Sequence, residues 1–154
     1  MLFLVASTAS RAAPPATSRP SPAVPREQSV ELRRQARGLM DNRNWAGAAR
    51  LVARGASVRD SAERAAWLCL EAELEFGRGR FIPAALAGMR LSILHPNNRQ
   101  AGAGYYWAGR AYEELGRPAK SIELYEECLA SRRTPEGVRR LAESRLAALK
   151  GNRK

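Results

Sequence analysis

The sequence predicts an all-α chain. Three features carry that expectation. Ala, Leu, Arg and Glu dominate the composition, and all four favour helix. Val, Ile and Thr are few, which argues against a large β-sheet. A helical pattern also returns at offsets of 36 and 37 residues, the mark of stacked helical units. At 154 residues and 45% hydrophobic, the chain suits one domain with a modest core.

Residues 1–28 stand apart from the rest. Leu2 to Ala6 form a brief apolar run, far short of the roughly 20 residues a membrane span needs. With Ser7, Thr8 and Ala9 behind it, the run reads as the remnant of a bacterial export signal. A transit peptide competes with that reading, because Arg11, Arg19 and Arg26 lie among Ser and Ala and no acid precedes Glu27. Pro14, Pro15, Pro20, Pro22 and Pro25 then deny the backbone its helix bonds, so a disordered, Pro-rich linker is expected. Residues 29–150 form the helical domain.

Seven helices are expected, at 30–42, 45–56, 61–77, 81–94, 100–115, 118–131 and 135–149. The first places Leu32, Ala36 and Leu39 on one face, and the second opens on Trp45 and Ala48. The third holds Trp67, Leu68 and Phe76. The fourth opens on Phe81 and Ala84, carries Leu91, and stops at His95 and Pro96. In the fifth, Tyr105, Ala108, Gly109 and Tyr112 share a face, and Gly116 ends it. The sixth repeats a small–aromatic–small pattern in Ser121, Tyr125 and Cys128. The seventh has Thr134 as N-cap, Pro135 at its first position, and an apolar stripe of Val138, Leu141, Ala142, Leu146 and Leu149, with Arg139, Arg140 and Arg145 outside it.

These places match one another. Gly79 aligns with Gly116 and Ala84 with Ser121, while Trp45 aligns with Phe81 and Ala48 with Ala84. Small residues such as Gly109 and Ser121 let two helix axes cross closely, and large ones such as Tyr105, Tyr112 and Tyr125 fill the space beside them. The pattern resembles the tetratricopeptide repeat, over residues 29 to about 134. The resemblance implies a right-handed superhelical stack of three helical hairpins, an α-solenoid, with repeats at about 29–62, 65–98 and 102–134 and a capping helix at 135–149. The second copy departs from the pattern, with Glu75 at its Tyr place and Ala72 at its Gly place. The long period is similar to tetratricopeptide proteins of the bacterial cell envelope, so a periplasmic or envelope-associated location is expected, with cytoplasmic and organellar ones as alternatives.

What the resemblance implies is protein binding, as a scaffold or adaptor that grips a peptide or helix of a partner in a concave groove. In the family, the first helix of each hairpin lines that groove. Carried over by position, the groove residues are Arg33, Arg37, Met40, Cys69, Glu73, Phe76, Tyr106, Arg110 and Glu113. The clamp that some members use for a free carboxylate is set aside, because its places hold Arg33, Arg37, Leu70, Ala103 and Trp107. Three hairpins are near the minimum for a stable array, so a homo-oligomer or a place in a larger assembly fits. Tyr105, Tyr106 and Trp107 point around one helix, and the bland reading is packing between neighbouring hairpins.

Charge offers an alternative. The net charge is +11, and it gathers at the ends: residues 1–60 carry ten Arg against four acids, and residues 132–154 carry eight basic groups against two acids. Such ends suit nucleic acid or anionic lipid. However, 23 Arg against 3 Lys also follows from a G+C-rich coding sequence, and Glu71, Glu73 and Glu75 interrupt the middle, so nucleic acid is the weaker expectation.

Nothing here builds an enzyme, and no cofactor is expected. There is one histidine, His95, and no phosphate loop or nucleophile motif. Glu123, Glu126 and Glu127 read as a solvated face. Cys69 and Cys128 lack metal-ligand spacing, and a zinc site is not expected. Cys128 reads as a small buried hydrophobe and Cys69 as a thiol facing the groove.

Overall fold

The computed structural model describes residues 24–151, which form seven α-helices and no strand. They are α1 (Arg26–Asp41), α2 (Trp45–Gly55), α3 (Ser61–Gly77), α4 (Phe81–Leu94), α5 (Ala101–Glu114), α6 (Pro118–Ala130) and α7 (Glu136–Gly151). The export-like run and most of the Pro-rich segment lie outside the described residues.

Six helices begin and end within two residues of expectation. α1 starts four residues early, directly after Pro25, whose extended backbone (φ −60, ψ 153) delivers the chain into the helix. The added turn has no apolar pattern, so its polar residues hide it in the sequence. What anchors it is Ser29, which is fully buried and accepts a hydrogen bond from Trp67 Nε1 at 2.9 Å.

Three turns share one build. α1 leads to α2, α3 to α4 and α5 to α6 through three residues each. At the centre, Arg43, Gly79 and Gly116 take left-handed conformations, with φ of 56, 72 and 67. The N–H groups of Asn44, Arg80 and Arg117 then reach back to the carbonyls of Leu39, Glu75 and Tyr112 at 2.8, 2.8 and 2.9 Å. This is the Schellman ending, which satisfies carbonyls a helix end leaves bare. The three left-handed residues repeat the 36 and 37 offsets of the sequence. Glycine adopts that backbone freely, whereas Arg43 holds it at a cost of about 1 kcal/mol.

Each helix packs on the next in sequence. In addition α1 touches α3, α3 touches α5, and α5 touches α7, while α2, α4 and α6 make no contact with one another. The odd-numbered helices therefore form a continuous row. One core lies where α1, α2 and α3 meet, built from Leu32, Ala36, Met40, Val52, Trp67 and Leu74 among others. Another joins α5, α6 and α7 around Tyr106, Tyr125, Cys128 and Ala142. Between them α4 and α5 cross so closely that a Cβ added to Gly88 would stand 2.5 Å from the carbonyl oxygen of Gly104. Ser121 Oγ donates to the carbonyl of Gly109 at 2.8 Å, so the small pair read from the sequence does meet.

The last helix differs from its expected form. α7 begins at Glu136, so Pro135 precedes it. Thr134 is buried and its hydroxyl donates to the carbonyl of Cys128 at 2.8 Å, which ties the connection down to α6. Leu141 is half exposed, because only Val138, Ala142, Leu146 and Leu149 of the stripe reach the core. Arg139 donates to the carbonyls of Leu129 and Ser131, covering the C-terminal end of α6. No helix among the described residues is long and apolar enough to cross a membrane.

Candidate functional site

The row of odd-numbered helices brings most of the sequence-derived groove residues together, but it binds them to each other. Between α1 and α3, Arg33 Nη2 donates to both oxygens of Glu63 at 3.1 and 2.9 Å. One turn on, Arg37 makes a two-pronged pair with Glu73 at 3.1 and 2.9 Å. Between α3 and α5, the Arg110 guanidinium sits 4.8 Å from the centre of the Phe76 ring. Between α5 and α7, Arg145 pairs with Glu113, which also accepts the Tyr125 hydroxyl at 2.6 Å. That contact and burial push the Tyr125 phenol up, burial being the larger cause. Every boundary in the row is thus crossed by a cation and its partner.

Two of the nine residues are not on an open surface. Met40 is 7% exposed because it continues the α1 stripe of Leu32 and Ala36 into the core against α2 and α3. Tyr106 is 4% exposed because α7 closes that side of α5, and its ring lies 6.1 Å from that of Tyr125. Position along the expected repeat takes no account of α7, so it puts Tyr106 in the groove. Phe76 is half-buried, with Phe81 and Trp107 each 5.5 Å away. Trp107 also meets Tyr106 at 5.3 Å, so the aromatic run serves packing between neighbouring helices.

A cleft of about 260 Å³ opens beside α1 and α3 at the start of α5. Arg33, Arg34, Arg37, Cys69 and Gln100 line it, over an apolar floor that includes Val30 and Leu70. Arg34 and Arg37 are exposed, and Arg37 keeps 55% of its side chain open despite its pair with Glu73. Two buried polar atoms of the lining, Arg33 Nε and Gln100 Oε1, have no hydrogen-bond partner among the described residues. One is a donor and the other an acceptor. A buried polar atom left unpaired costs about 1–3 kcal/mol, and both of these atoms lie beneath the surface rather than open to the cleft.

Sequence reasoning missed Arg34 and Gln100, and it also missed Glu63. Glu63 falls on the same helical face as Trp67, Leu70 and Leu74, at intervals of four, three and four. An acid on an apolar face was the available signal that it must be paired. Glu75, which replaces the expected Tyr, is likewise buried and is held by Arg78 at 3.0 Å and Arg80 at 3.2 Å.

Both cysteines are free thiols. Burial, with the Glu73 charge adding to it, pushes Cys69 up to about 11, and burial pushes Cys128 to about 11. A thiol in that range carries almost no thiolate at neutral pH, so the cleft does not activate Cys69. Among the described residues no group of three His, Cys, Asp or Glu side chains is placed to hold a metal ion.

Comparison with protein families, with curated proteins and with solved structures finds no match to this chain.

Proposed function

We propose that the chain is a right-handed stack of three tetratricopeptide-type hairpins with a capping helix, and that it acts as a protein-binding scaffold rather than an enzyme. The bound element is a peptide or helix segment of a partner, laid along the face of α1, α3 and the start of α5. The observation that carries this reading is the cleft at Arg33, Arg37 and Gln100. Arg34 and Arg37 are paired with Glu31 and Glu73, but both pairs are exposed, so acidic side chains flanking that peptide can compete for the guanidinium groups. Val30 and Leu70 give an apolar residue somewhere to rest.

The recurrence of the three left-handed turns and the contact of odd-numbered helices support the stack itself. The polyanion alternative has less behind it. Of the basic C-terminal groups, Arg139 covers carbonyls of α6, Arg145 pairs with Glu113, Arg140 with Glu136 and Lys150 with Glu126. Charges already paired on the protein release few counterions from a nucleic acid.

Peptide display against the full chain tests the proposal. Enriched peptides should carry acidic residues beside an apolar one. Changing the exposed Arg34→Glu and Arg37→Glu together should weaken their binding by at least about 30-fold, the loss of two charge-assisted contacts. Enrichment that survives this double change, or binding to polyanions alone, would refute it.

A further inference from the structure

α4 carries a second apolar surface that the groove reading leaves unused. Its inner side, with Ala84, Gly88 and Leu91, is buried, and among the described residues its helix neighbours are α3 and α5. Among the described residues nothing covers its outer side. Ile82, Leu86 and Ile93 are 62%, 60% and 63% exposed, and the partly exposed Met89 completes the row. The intervals of four, three and four are those of a coiled-coil seam, so the row runs straight along a helix about 21 Å long. Leu115 and Tyr112 flank the row and help to enclose a groove of about 120 Å³.

We propose that this face joins two copies of the chain, α4 against α4 in antiparallel, about a two-fold axis between Leu86 and Met89. The row maps onto itself under that rotation, as an isologous interface requires. Ile82 then faces Ile93 of the second copy, and Leu86 faces its Met89. Like charges are not opposed, because Arg90 is the one charged residue of α4 and it comes to lie across from Ala85 of the second copy. The area also fits. The exposed apolar side chains amount to something on the order of 500 Å² per copy, toward the upper end of what a monomer leaves bare. Doubled, that is the low end of specific interfaces, so the dimer is weak, with a dissociation constant in the micromolar range. Added salt strengthens it by screening the +11 net charge. No cleft residue takes part, so this inference stands or falls apart from the proposed function.

Sedimentation equilibrium of the full chain, from about one to a few hundred micromolar, measures the pairing. The expected result is a monomer–dimer equilibrium that tightens with salt. Leu86→Glu should raise the dissociation constant at least about 30-fold, as loss of a central apolar anchor does, with circular dichroism and melting unchanged because Leu86 is exposed. Met89→Lys should do the same. Mixing the two variants should restore pairing, since the new carboxylate of one copy meets the new ammonium of the other. The proposal is overturned by a chain that stays monomeric throughout, by a dimer indifferent to Leu86→Glu, or by variants that do not rescue each other. It is equally overturned if the wild-type chain is monomeric and binds an added amphipathic helix on this face instead.

Discussion

Gly88→Ala should lower the thermal unfolding midpoint by about 6 °C. Two effects of opposite sign compete at this position. In an ordinary helix the change would stabilise by roughly 1 kcal/mol, because Ala is the better helix former. Here the new methyl would stand 2.5 Å from the carbonyl oxygen of Gly104 and 3.1 Å from the backbone nitrogen of Ala108. Both obstacles are backbone, so no rotamer change relieves them. α4 and α5 must move apart, which loosens Ala84, Ala85 and Ala111 and the bonds from Ser92 to the carbonyls of Gly88 and Ala101. Overpacking of this kind costs about 3 kcal/mol, which exceeds the helix gain. For a domain of this size the net loss corresponds to the stated fall. Calorimetry decides it by sign: a midpoint that rises would mean the two helices do not cross at this distance.

The other large effect is expected at Glu63. Its carboxylate accepts from the Ser29 hydroxyl at 2.8 Å and from Arg33, and the Ser29 oxygen in turn accepts from Trp67. Glu63→Ala removes the centre of this network and leaves a guanidinium without its counter-charge. Stripping one partner from a fully buried pair costs about 3–5 kcal/mol. Arg33 remains a quarter exposed, and solvent offsets part of that, so about 2–3 kcal/mol is expected. Arg37→Ala is the control. Its pair with Glu73 is more open, and its loss should cost no more than about 1 kcal/mol. Urea unfolding of the two variants measures the contrast, and equal losses would show that the Ser29–Glu63–Trp67 network does not anchor α1.

The helices were largely legible in the sequence because their boundaries are written in local chemistry. Gly79 and Gly116 sit where a left-handed residue ends a helix, and Pro118 sits where one can begin. Arg43 was harder to see, since a non-glycine takes the same backbone. The start of α1 was not legible, because Arg26, Glu27 and Gln28 are polar and their order comes from Ser29, through contacts more than 30 residues away. The candidate site was legible only in outline. Position in the expected repeat found Arg33, Arg37 and Cys69 on the cleft, but it also named Met40 and Tyr106, which are core. It could not show that Arg33, Arg37 and Glu113 bond across helix boundaries, because pairing depends on which helices are neighbours. The bare row on α4 was present at intervals of four, three and four, yet a helix that is apolar on both sides reads as ordinary core until its neighbours are known.

Under the proposed function a partner segment lies on the odd-numbered helices at the cleft. Chemical-shift mapping of the full chain with a display-selected peptide tests it most directly. The expected result is a set of perturbed amides around Arg34, Arg37, Cys69 and Gln100, with α2 and α6 undisturbed. Perturbations gathered on α4 or α7 instead, with none at those four residues, would contradict it.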